Sequence, residues 1–369
     1  MNTKFLIHKE SGTVIHADDR RTLRYGYDDF LNRVVKGDDC FICGCGSGSK
    51  SFNNEHVIPK WILKAYAKPK AFMILPNGTN IKNYAYTVPC CKDCNAELSR
   101  QLEIPISYLL KRDYDFVSDA LQRDESLYLK LFHWVCLLFF KTHLKDTYLD
   151  ADRDRRKFSG SIGDTYCWHP LYHVHGIIRQ HHTGVKLTKH VQGTILVFEA
   201  LVETPEEEFD YLDNLNSQVV MVKVGKIIIL AVLNDCRFCL AAYKTMLSKI
   251  NGPLNSVQIL ELFARLRYLN ENIKKRPRFH SLFDNDEFII GAKMPKKMEV
   301  LPEANERVSL FKLMRFYIED LMPQDLPGRD QLLLDLEEGR AQYIFDENMN
   351  FCRHESHAER RSKLPASND

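Results

Sequence analysis

The stretch CFICGCGSGSKSFNNEHVIPKWIL, residues 40–63, begins with two cysteines that are separated by two residues. A second pair with the same spacing, Cys91 and Cys94, follows later in the chain. A tetrahedral structural zinc takes four thiolates from two such pairs, because each short turn points two sulfur atoms at one ion. The sequence therefore predicts a structural zinc site formed by Cys40, Cys43, Cys91 and Cys94.

Two further cysteines, Cys45 and Cys90, lie beside these pairs and offer other registers, Cys43-x-Cys45 and Cys90-x-x-x-Cys94. Both alternatives fit the usual ligand spacing less well, so we predict that Cys45 and Cys90 stay outside the zinc site. A set of unbound buried thiols is the competing interpretation. Free cysteines seldom recur at such regular spacing, which favours the metal.

The composition sets the class of protein. A chain of 369 residues is long enough for two domains, and 44% hydrophobic with 27% charged residues is typical of a soluble globular protein. The formal net charge of +2 gives no overall basic field that would by itself indicate a nucleic-acid binder. No stretch approaches the roughly 18 apolar residues of a membrane helix, and no secretory signal is evident. We expect a cytoplasmic protein without a membrane partner, whose eleven cysteines are not a disulfide framework.

The first part of the chain alternates short strand and helix patterns. We predict a strand pair over 3–16, a helix over 27–35, a short helix within 56–67, strands over 71–75 and 81–88, and a helix over 92–113 that Pro105 interrupts. The Asn77-Gly78 dipeptide predicts a hairpin between the two later strands. This order is ββα-like, and we end the first domain, residues 1–115, at this point.

The remainder has a different pattern. Residues 126–144 are apolar around the whole circumference, which predicts a buried helix. We predict core strands over 193–203 and 218–233, followed by helices over 236–250, 255–274, 305–322 and 328–340. The second domain, residues 116–350, is therefore a larger α+β domain of unknown type. Residues 351–369 form a polar tail that we expect to be disordered.

Two other clusters carry candidate metal ligands. The stretch HPLYHVHGIIRQHH, residues 169–182, predicts a half-exposed polar strand with His173 and His175 on one face; a metal site is the alternative. Cys236 and Cys239 lie at the start of an apolar helix without a matching second pair, so we assign them to core packing.

Glu55 and His56 lie between the two cysteine pairs, Pro59 follows, and Asn95 comes directly after the last cysteine. This joint pattern, CxxC…EHxxP…CxxCN, resembles the HNH, or ββα-metal, family of nucleases over about residues 38–106. The resemblance implies an α+β chain in which a small zinc-stapled HNH domain hydrolyses phosphodiester bonds. It also implies a catalytic Mg²⁺ or Mn²⁺ that is separate from the zinc.

The resemblance assigns roles to single residues. It makes His56 the general base, Glu55 a ligand of the divalent ion, and Asn95 a second ligand or the residue that fixes the loop. The family's third position is usually histidine; here Glu103 occupies it, and a carboxylate suits a hard cation. Glu97 is the alternative acid. A helix cap remains an alternative for Asn95, as does ordinary helix surface for Glu103.

The chemistry also follows without the family. A neutral imidazole can accept a proton from water at pH 7, and a hard cation can take up charge at a phosphate. Lys60, Lys64 and Trp61 on the short helix could contact phosphates and stack on bases, whereas the competing interpretation is a solvated face with Trp61 in the core.

We therefore expect an HNH endonuclease that acts on DNA, with RNA as the second substrate to test. The larger domain would provide targeting, a homodimer contact or binding of a regulatory protein. The resemblance alone suggests a role in antiviral defence or mobile-element biology. The alternative is a non-catalytic zinc-stapled module that binds nucleic acid or protein.

Overall fold

The structure, a computed structural model, describes residues 4–67, 72–154, 156–157, 159–284 and 287–354. The chain divides into two units. The N-terminal unit comprises Met1–Lys111, Ala120–Gln192 and Arg278–Lys293. The C-terminal unit comprises Arg112–Asp119, Gly193–Pro277 and Met294–Asp369. The chain as a whole is mixed α+β, as predicted.

This division differs from the predicted boundary at residue 115, because Ala120–Gln192 and Arg278–Lys293 group with the N-terminal residues. The predicted polar tail over 351–369 lies outside the described residues from 355 onward.

The N-terminal unit begins with a small antiparallel sheet of β1 (Phe5–Ile7), β2 (Val14–His16) and β3 (Thr22–Arg24). The predicted strand pair over 3–16 is confirmed, with Gly12 in the left-handed region at φ +70°. A helical segment follows, α1 (Tyr27–Asp29) continued by a π-helical turn, which confirms the helix predicted over 27–35.

The next strand, β4 (Phe52–His56), leads through Pro59 into α2 (Lys60–Ala65). The hairpin of β5 (Phe72–Ile74) and β6 (Asn80–Lys82) turns at Gly78, as the sequence predicts. The single strand predicted over 81–88 is wrong: β6 ends at Lys82 and β7 (Thr87–Cys91) begins after a 3₁₀ turn. The physical reason is that β6 pairs with β5 whereas β7 pairs with β4, so the chain must turn between them.

Strand β7 runs directly into α3 (Lys92–Leu98), a π-helical turn over Ser99–Glu103, and α4 (Ile104–Leu110). Pro105 lacks the N–H that a regular helix would donate to the carbonyl four residues earlier, and the π-helical turn precedes it. The helix predicted from Lys92 with an interruption near Pro105 is confirmed.

Two more helices follow, α5 (Tyr114–Arg123) and α6 (Glu125–Asp146). The Asp124 side chain caps α6 by accepting from the N–H groups of Ser126 and Leu127. The side chains of α6 are buried without a break from Leu131 to Lys141, so the buried helix predicted over 126–144 is confirmed. In the part of the chain that the structure describes, no helix has both the length and the hydropathy needed to cross a membrane.

The strand predicted over 169–182 is wrong. The segment forms α7 (His169–Ile178) and α8 (Gln180–Thr183), and only then β8 (Lys186–Leu187). The buried aliphatic residues Leu171, Val174 and Ile178 recur at helical spacing. Burial of this apolar face favours a helix, although the spacing of the histidines would suit a strand. His173 and His175 consequently do not share a strand face.

The C-terminal unit contains an antiparallel sheet in the order β10-β11-β12-β9. Its strands are β9 (Thr194–Glu199), β10 (Phe209–Asn214), β11 (Val219–Val224) and β12 (Ile227–Val232). Strands β11 and β12 are buried on both faces, which agrees with their continuous apolar sequence.

Helices α9 (Phe238–Leu247) and α10 (Ser256–Glu271) follow the sheet. Cys239 is buried in the core that these elements form, as predicted, whereas Cys236 precedes α9 and is half-buried. The β13 (Arg278–Asp284) and β14 (Glu287–Lys293) hairpin belongs to the N-terminal unit, where β14 pairs in parallel with β8. Helices α11 (Leu310–Ile318) and α12 (Arg329–Glu337) complete the C-terminal unit.

Candidate functional site

Four thiol groups of the N-terminal unit form a compact group. The Sγ atoms of Cys40, Cys43, Cys91 and Cys94 all lie within 4.8 Å of one another. A tetrahedral zinc with Zn–S bonds of about 2.3 Å places its sulfur atoms about 3.8 Å apart. The distance between Cys43 Sγ and Cys91 Sγ is 3.7 Å. The predicted thiols are therefore positioned to bind one metal ion, and their donor set and spacing suit zinc.

Local structure brings the two pairs together. Cys40 and Cys43 lie on a tight turn before β4, while Cys91 ends β7 and Cys94 lies in the first turn of α3. The turn is closed by hydrogen bonds from the Gly44 N–H to the Cys40 carbonyl and from the Cys40 N–H to the Cys45 carbonyl.

Gly44 is required by this turn for two reasons. Its φ of +77° is a left-handed backbone conformation that residues with a side chain rarely adopt. A Cβ atom at this position would lie 1.7 Å from the Tyr25 hydroxyl oxygen, so there is no space for one.

The other two cysteines remain beside the group. Cys45 Sγ lies 3.2 Å from Cys43 Sγ, and Cys90 Sγ lies 3.9 Å from Cys40 Sγ. Neither belongs to the set of four mutually close sulfur atoms.

Side chains at the end of α7 and directly after it donate hydrogen bonds to the backbone of the turn that carries Cys40 and Cys43. His175 Nε2 donates to the carbonyl of Phe41 at 2.9 Å, and Arg179 Nε donates to the carbonyl of Ile42 at 2.5 Å. Both side chains are buried, and the guanidinium places a positive charge near the thiols. Sequence patterns missed this role because it depends on contacts across more than 130 residues, with separations of 134 and 137.

An open cleft of about 690 Å³ in the N-terminal unit is lined by residues of β4, α2 and the α3–α4 helical run. Its lining includes all four residues predicted for catalysis or for binding a divalent ion, namely Glu55, His56, Asn95 and Glu103. These side chains are thus brought together by the β4–β7 pairing and the helix that follows it.

His56 ends β4 and is half-buried at the cleft. Burial lowers the pKa of its imidazole below 6.5, and the nearby positive charges of Lys60 and Lys141 lower it further against the opposing charge of Glu55. The imidazole is therefore neutral at pH 7 and can accept a proton.

The Glu55 carboxylate is buried and forms an ion pair. Lys141 Nζ donates to Glu55 Oε1 at 2.6 Å and to the backbone carbonyl of His56 at 2.7 Å. Lys141 comes from α6 and its side chain is 0% exposed. One buried ammonium thus joins the carboxylate of Glu55 to the backbone of His56.

Glu103 lies on the π-helical turn, close to the same ammonium. Its Oε1 lies 3.7 Å from Lys141 Nζ and has no hydrogen-bond partner among the residues that the structure describes. Burial raises the pKa of Glu103 to about 7; the Lys141 charge opposes this rise and the Glu55 charge adds to it. Ordinary helix surface does not describe this residue, because its side chain is only 16% exposed.

Asn95 lies inside α3, directly after Cys94, so the thiol group and the cleft share one helical turn. Its Nδ2 donates to Oδ1 of Asn53 on β4 at 2.8 Å. The helix-cap alternative for Asn95 is wrong, because α3 begins at Lys92 and its N-cap residue is Cys91. The alternative acid, Glu97, does not line the cleft and instead binds Arg100 and Gln101.

The residues predicted to contact nucleic acid are divided. Lys60 and Trp61 line the cleft at the first turn of α2, whereas Lys64 is exposed and does not line it. Two further residues line the cleft and were not predicted from the sequence. Tyr108 of α4 is 73% exposed, and Lys111, directly after α4, has its Nζ 5.9 Å from the centre of the Trp61 ring.

Lys141 was also missed, although the sequence carries a signal for it. A lysine inside a helix that is apolar on all sides must be paired, because an unpaired buried ammonium is very costly. The partner lies 86 residues earlier, which no local pattern identifies.

No protein-family model, curated protein or solved structure matched this chain. The similarity to HNH nucleases remains an expectation that the motif residues carry.

Proposed function

We propose that the N-terminal unit is a metal-dependent HNH endonuclease domain that hydrolyses phosphodiester bonds, with DNA as the substrate. The observation that carries this proposal is the meeting of His56, Asn95 and Glu103 at one open cleft beside the four-thiol group. That a candidate base and candidate oxygen ligands line one open cleft supports the proposal.

His56 is the general base of the proposed reaction. Its imidazole faces the cleft and is neutral at pH 7 because of burial and neighbouring positive charge. It takes the proton from the attacking water at its ring nitrogen. The hydrogen bond from Lys141 to the His56 carbonyl holds the end of β4 in place while this happens.

A divalent ion would be held by oxygen atoms of Asn95 and Glu103, with Glu55 as a further candidate ligand. Amide and carboxylate oxygens are the donors that Mg²⁺ and Mn²⁺ prefer, and the unpartnered buried Oε1 of Glu103 fits such an ion. When bound, the ion would stabilise negative charge at the phosphate and at the leaving oxygen.

The zinc that we propose for the four thiols is structural. Asn95 directly follows Cys94, so a metal that fixes Cys94 also fixes the helical turn that carries Asn95. Such rigidity matters because a displacement of about 1 Å can cost roughly a hundredfold in rate.

The wall of the cleft suits a nucleic-acid strand. Lys60 and Lys111 provide positive charge, while Trp61 and the exposed Tyr108 provide aromatic faces. Lysines bind phosphates and aromatic rings stack on bases. For the C-terminal unit we propose targeting, homodimerisation or binding of a regulatory protein, and the role in antiviral defence or mobile-element biology rests on the resemblance alone.

The test is a plasmid-nicking assay with purified protein and Mg²⁺ or Mn²⁺. Wild type should nick DNA, and His56→Ala should abolish nicking while zinc content and melting temperature stay unchanged. His190→Ala is the matched control, since His190 is exposed and does not line the cleft. Cleavage of RNA but not of DNA would show that the substrate is RNA. Protein that binds nucleic acid but never cuts it would support the non-catalytic zinc module instead.

A further inference from the structure

Three oxygen atoms lie near the Lys141 ammonium. Its Nζ lies 2.6 Å from Glu55 Oε1, 2.7 Å from the His56 carbonyl oxygen and 3.7 Å from Glu103 Oε1. Two carboxylates and a backbone carbonyl are a typical donor set for a hard cation. The two short contacts, to a carboxylate and to a carbonyl oxygen, are those of an ammonium that donates to both.

We infer that the buried Lys141 ammonium, whose carboxylate partners Glu55 and Glu103 line the cleft, is a built-in cation that takes the position between them that a divalent ion would otherwise occupy. Lys141 is then a positioning residue that orients Glu55 and, through the backbone carbonyl, His56. The inference rests on the proposed function for the role of the cleft, and it refines the ligand set of the catalytic metal.

The refinement concerns Glu55. A divalent ion bound directly to Glu55 Oε1 would lie within about 5 Å of the ammonium, since metal–oxygen bonds are about 2.1–2.6 Å long. Like charges at that distance repel strongly in a partly buried site. Glu103 Oε1 lies farther from the ammonium, at 3.7 Å, and makes no hydrogen bond to it, whereas Glu55 Oε1 is bonded to it at 2.6 Å. The divalent ion is therefore assigned to Asn95 and Glu103, with Glu55 as an orienting residue that pairs with Lys141.

Removal of the ammonium provides the test. In Lys141→Met the buried carboxylates lose their counter-charge, so without added divalent ions we expect the melting temperature to fall by about 10 °C. Addition of MnCl₂ should restore most of this loss, because Mn²⁺ then fills the vacated position. Counting free Mn²⁺ by electron paramagnetic resonance should show one more tightly bound ion than in wild type.

The double variant Lys141→Met/Glu55→Gln removes one carboxylate charge along with the ammonium. It should melt at a higher temperature than Lys141→Met without Mn²⁺ and should not bind the additional ion. Lys130→Met is the matched control, because Lys130 is on α6 but partly exposed and forms none of the contacts of Lys141. Zinc content is measured in each variant to show that the thiol group is intact.

Two results would overturn the inference: an equal effect of Mn²⁺ on wild type and Lys141→Met, or an additional Mn²⁺ that persists in the double variant. A Lys141→Met protein that cannot be recovered folded even with Mn²⁺ also counts against it. None of these measurements uses nucleic acid. A wild type that does not nick DNA, together with a Lys141→Met variant that gains an ion, would reject the nuclease and keep the built-in cation.

Discussion

The side-chain amide of Asn95 donates a hydrogen bond to Oδ1 of Asn53 at 2.8 Å, which ties α3 to β4 at the cleft. Because Nδ2 is engaged in this bond, Oδ1 of Asn95 is the atom that a cation would contact. The orientation of a candidate metal ligand thus depends on a second amide that sequence motifs do not include.

Substitution of either asparagine should weaken the divalent-ion site. Asn95→Ala removes a proposed ligand and should lower Mn²⁺ affinity by tenfold or more, whereas Asn53→Ala removes only the orienting partner and should lower it by about tenfold or less. Titration of Mn²⁺ by calorimetry checks both. An Asn95→Ala protein that binds Mn²⁺ as tightly as wild type contradicts the assignment.

Substitution of a thiol should release the structural metal. Cys94→Ser leaves three thiolates, and we expect the zinc content measured by mass spectrometry to fall from one ion per chain to nearly none, with loss of cooperative melting of the N-terminal unit. Cys236→Ser is the control, because Cys236 lies in the C-terminal unit and outside the four-thiol group. Full zinc retention in Cys94→Ser would mean that Cys90 or Cys45 serves as the ligand.

The turn at Gly44 should not accept a side chain. Gly44→Ala must adopt a φ of +77° and place its Cβ against the Tyr25 hydroxyl, so we expect a loss of about 2 kcal/mol or more in the free energy of unfolding. Gly48→Ala is the matched control, since a Cβ there meets no atom within 4 Å and its φ is not positive. Equal denaturant midpoints for the two variants would disprove this role.

Lysines on the cleft wall should govern binding of nucleic acid. Lys111→Ala removes one phosphate contact and should reduce the slope of log affinity against log salt by about 0.9. Lys64→Ala changes a lysine that does not line the cleft and should leave the slope unchanged. Fluorescence anisotropy with a labelled oligonucleotide at several salt concentrations measures both slopes. The opposite ranking would place the strand along the outer face of α2.

Cleavage should depend on pH through His56. The neutral imidazole is the active form and its pKa lies below 6.5, so its protonation should lower the rate as the pH drops through that lowered pKa. Protonation of Glu103, whose pKa burial raises to about 7, should cause a separate fall at higher pH because a protonated carboxyl binds a cation poorly. Lys60→Ala removes a positive charge that lowers this pKa, so the acidic limb should move to higher pH. Single-turnover nicking rates at pH 4.5 to 8 provide the measurement, and an unmoved limb in Lys60→Ala is the contrary result.

The parts of this site that depend on short-range patterns could be predicted. Cysteine spacing identified the thiol group, and the start of α3 at Lys92 was predicted correctly. Strand β4 was not predicted, and β7 was not separated from β6 in the strand predicted over 81–88. Glu103 could be placed near the cleft because it follows Asn95 on the same helical run.

The parts that depend on distant contacts could not be predicted. Lys141 reaches Glu55 across 86 residues, and Arg179 reaches Ile42 across 137. The strand predicted over 169–182 was wrong because the prediction followed the alternating histidines. The helical spacing of Leu171, Val174 and Ile178 is the pattern that matches the structure. Polar residues at a functional site need not follow the periodicity of the element that carries them, whereas buried apolar residues do.

The position of α6 in the N-terminal unit has a practical consequence for deletion mapping. A fragment that ends at residue 115 would retain the four thiols, His56, Asn95 and Glu103, and would look complete by motif. It would lack α6, which carries Lys141, and α7, which carries the His175 side chain that is hydrogen-bonded to the first cysteine turn. If such a fragment is unfolded or inactive, the missing contacts from these two helices explain the result. It would not prove that the remaining residues regulate an otherwise independent domain.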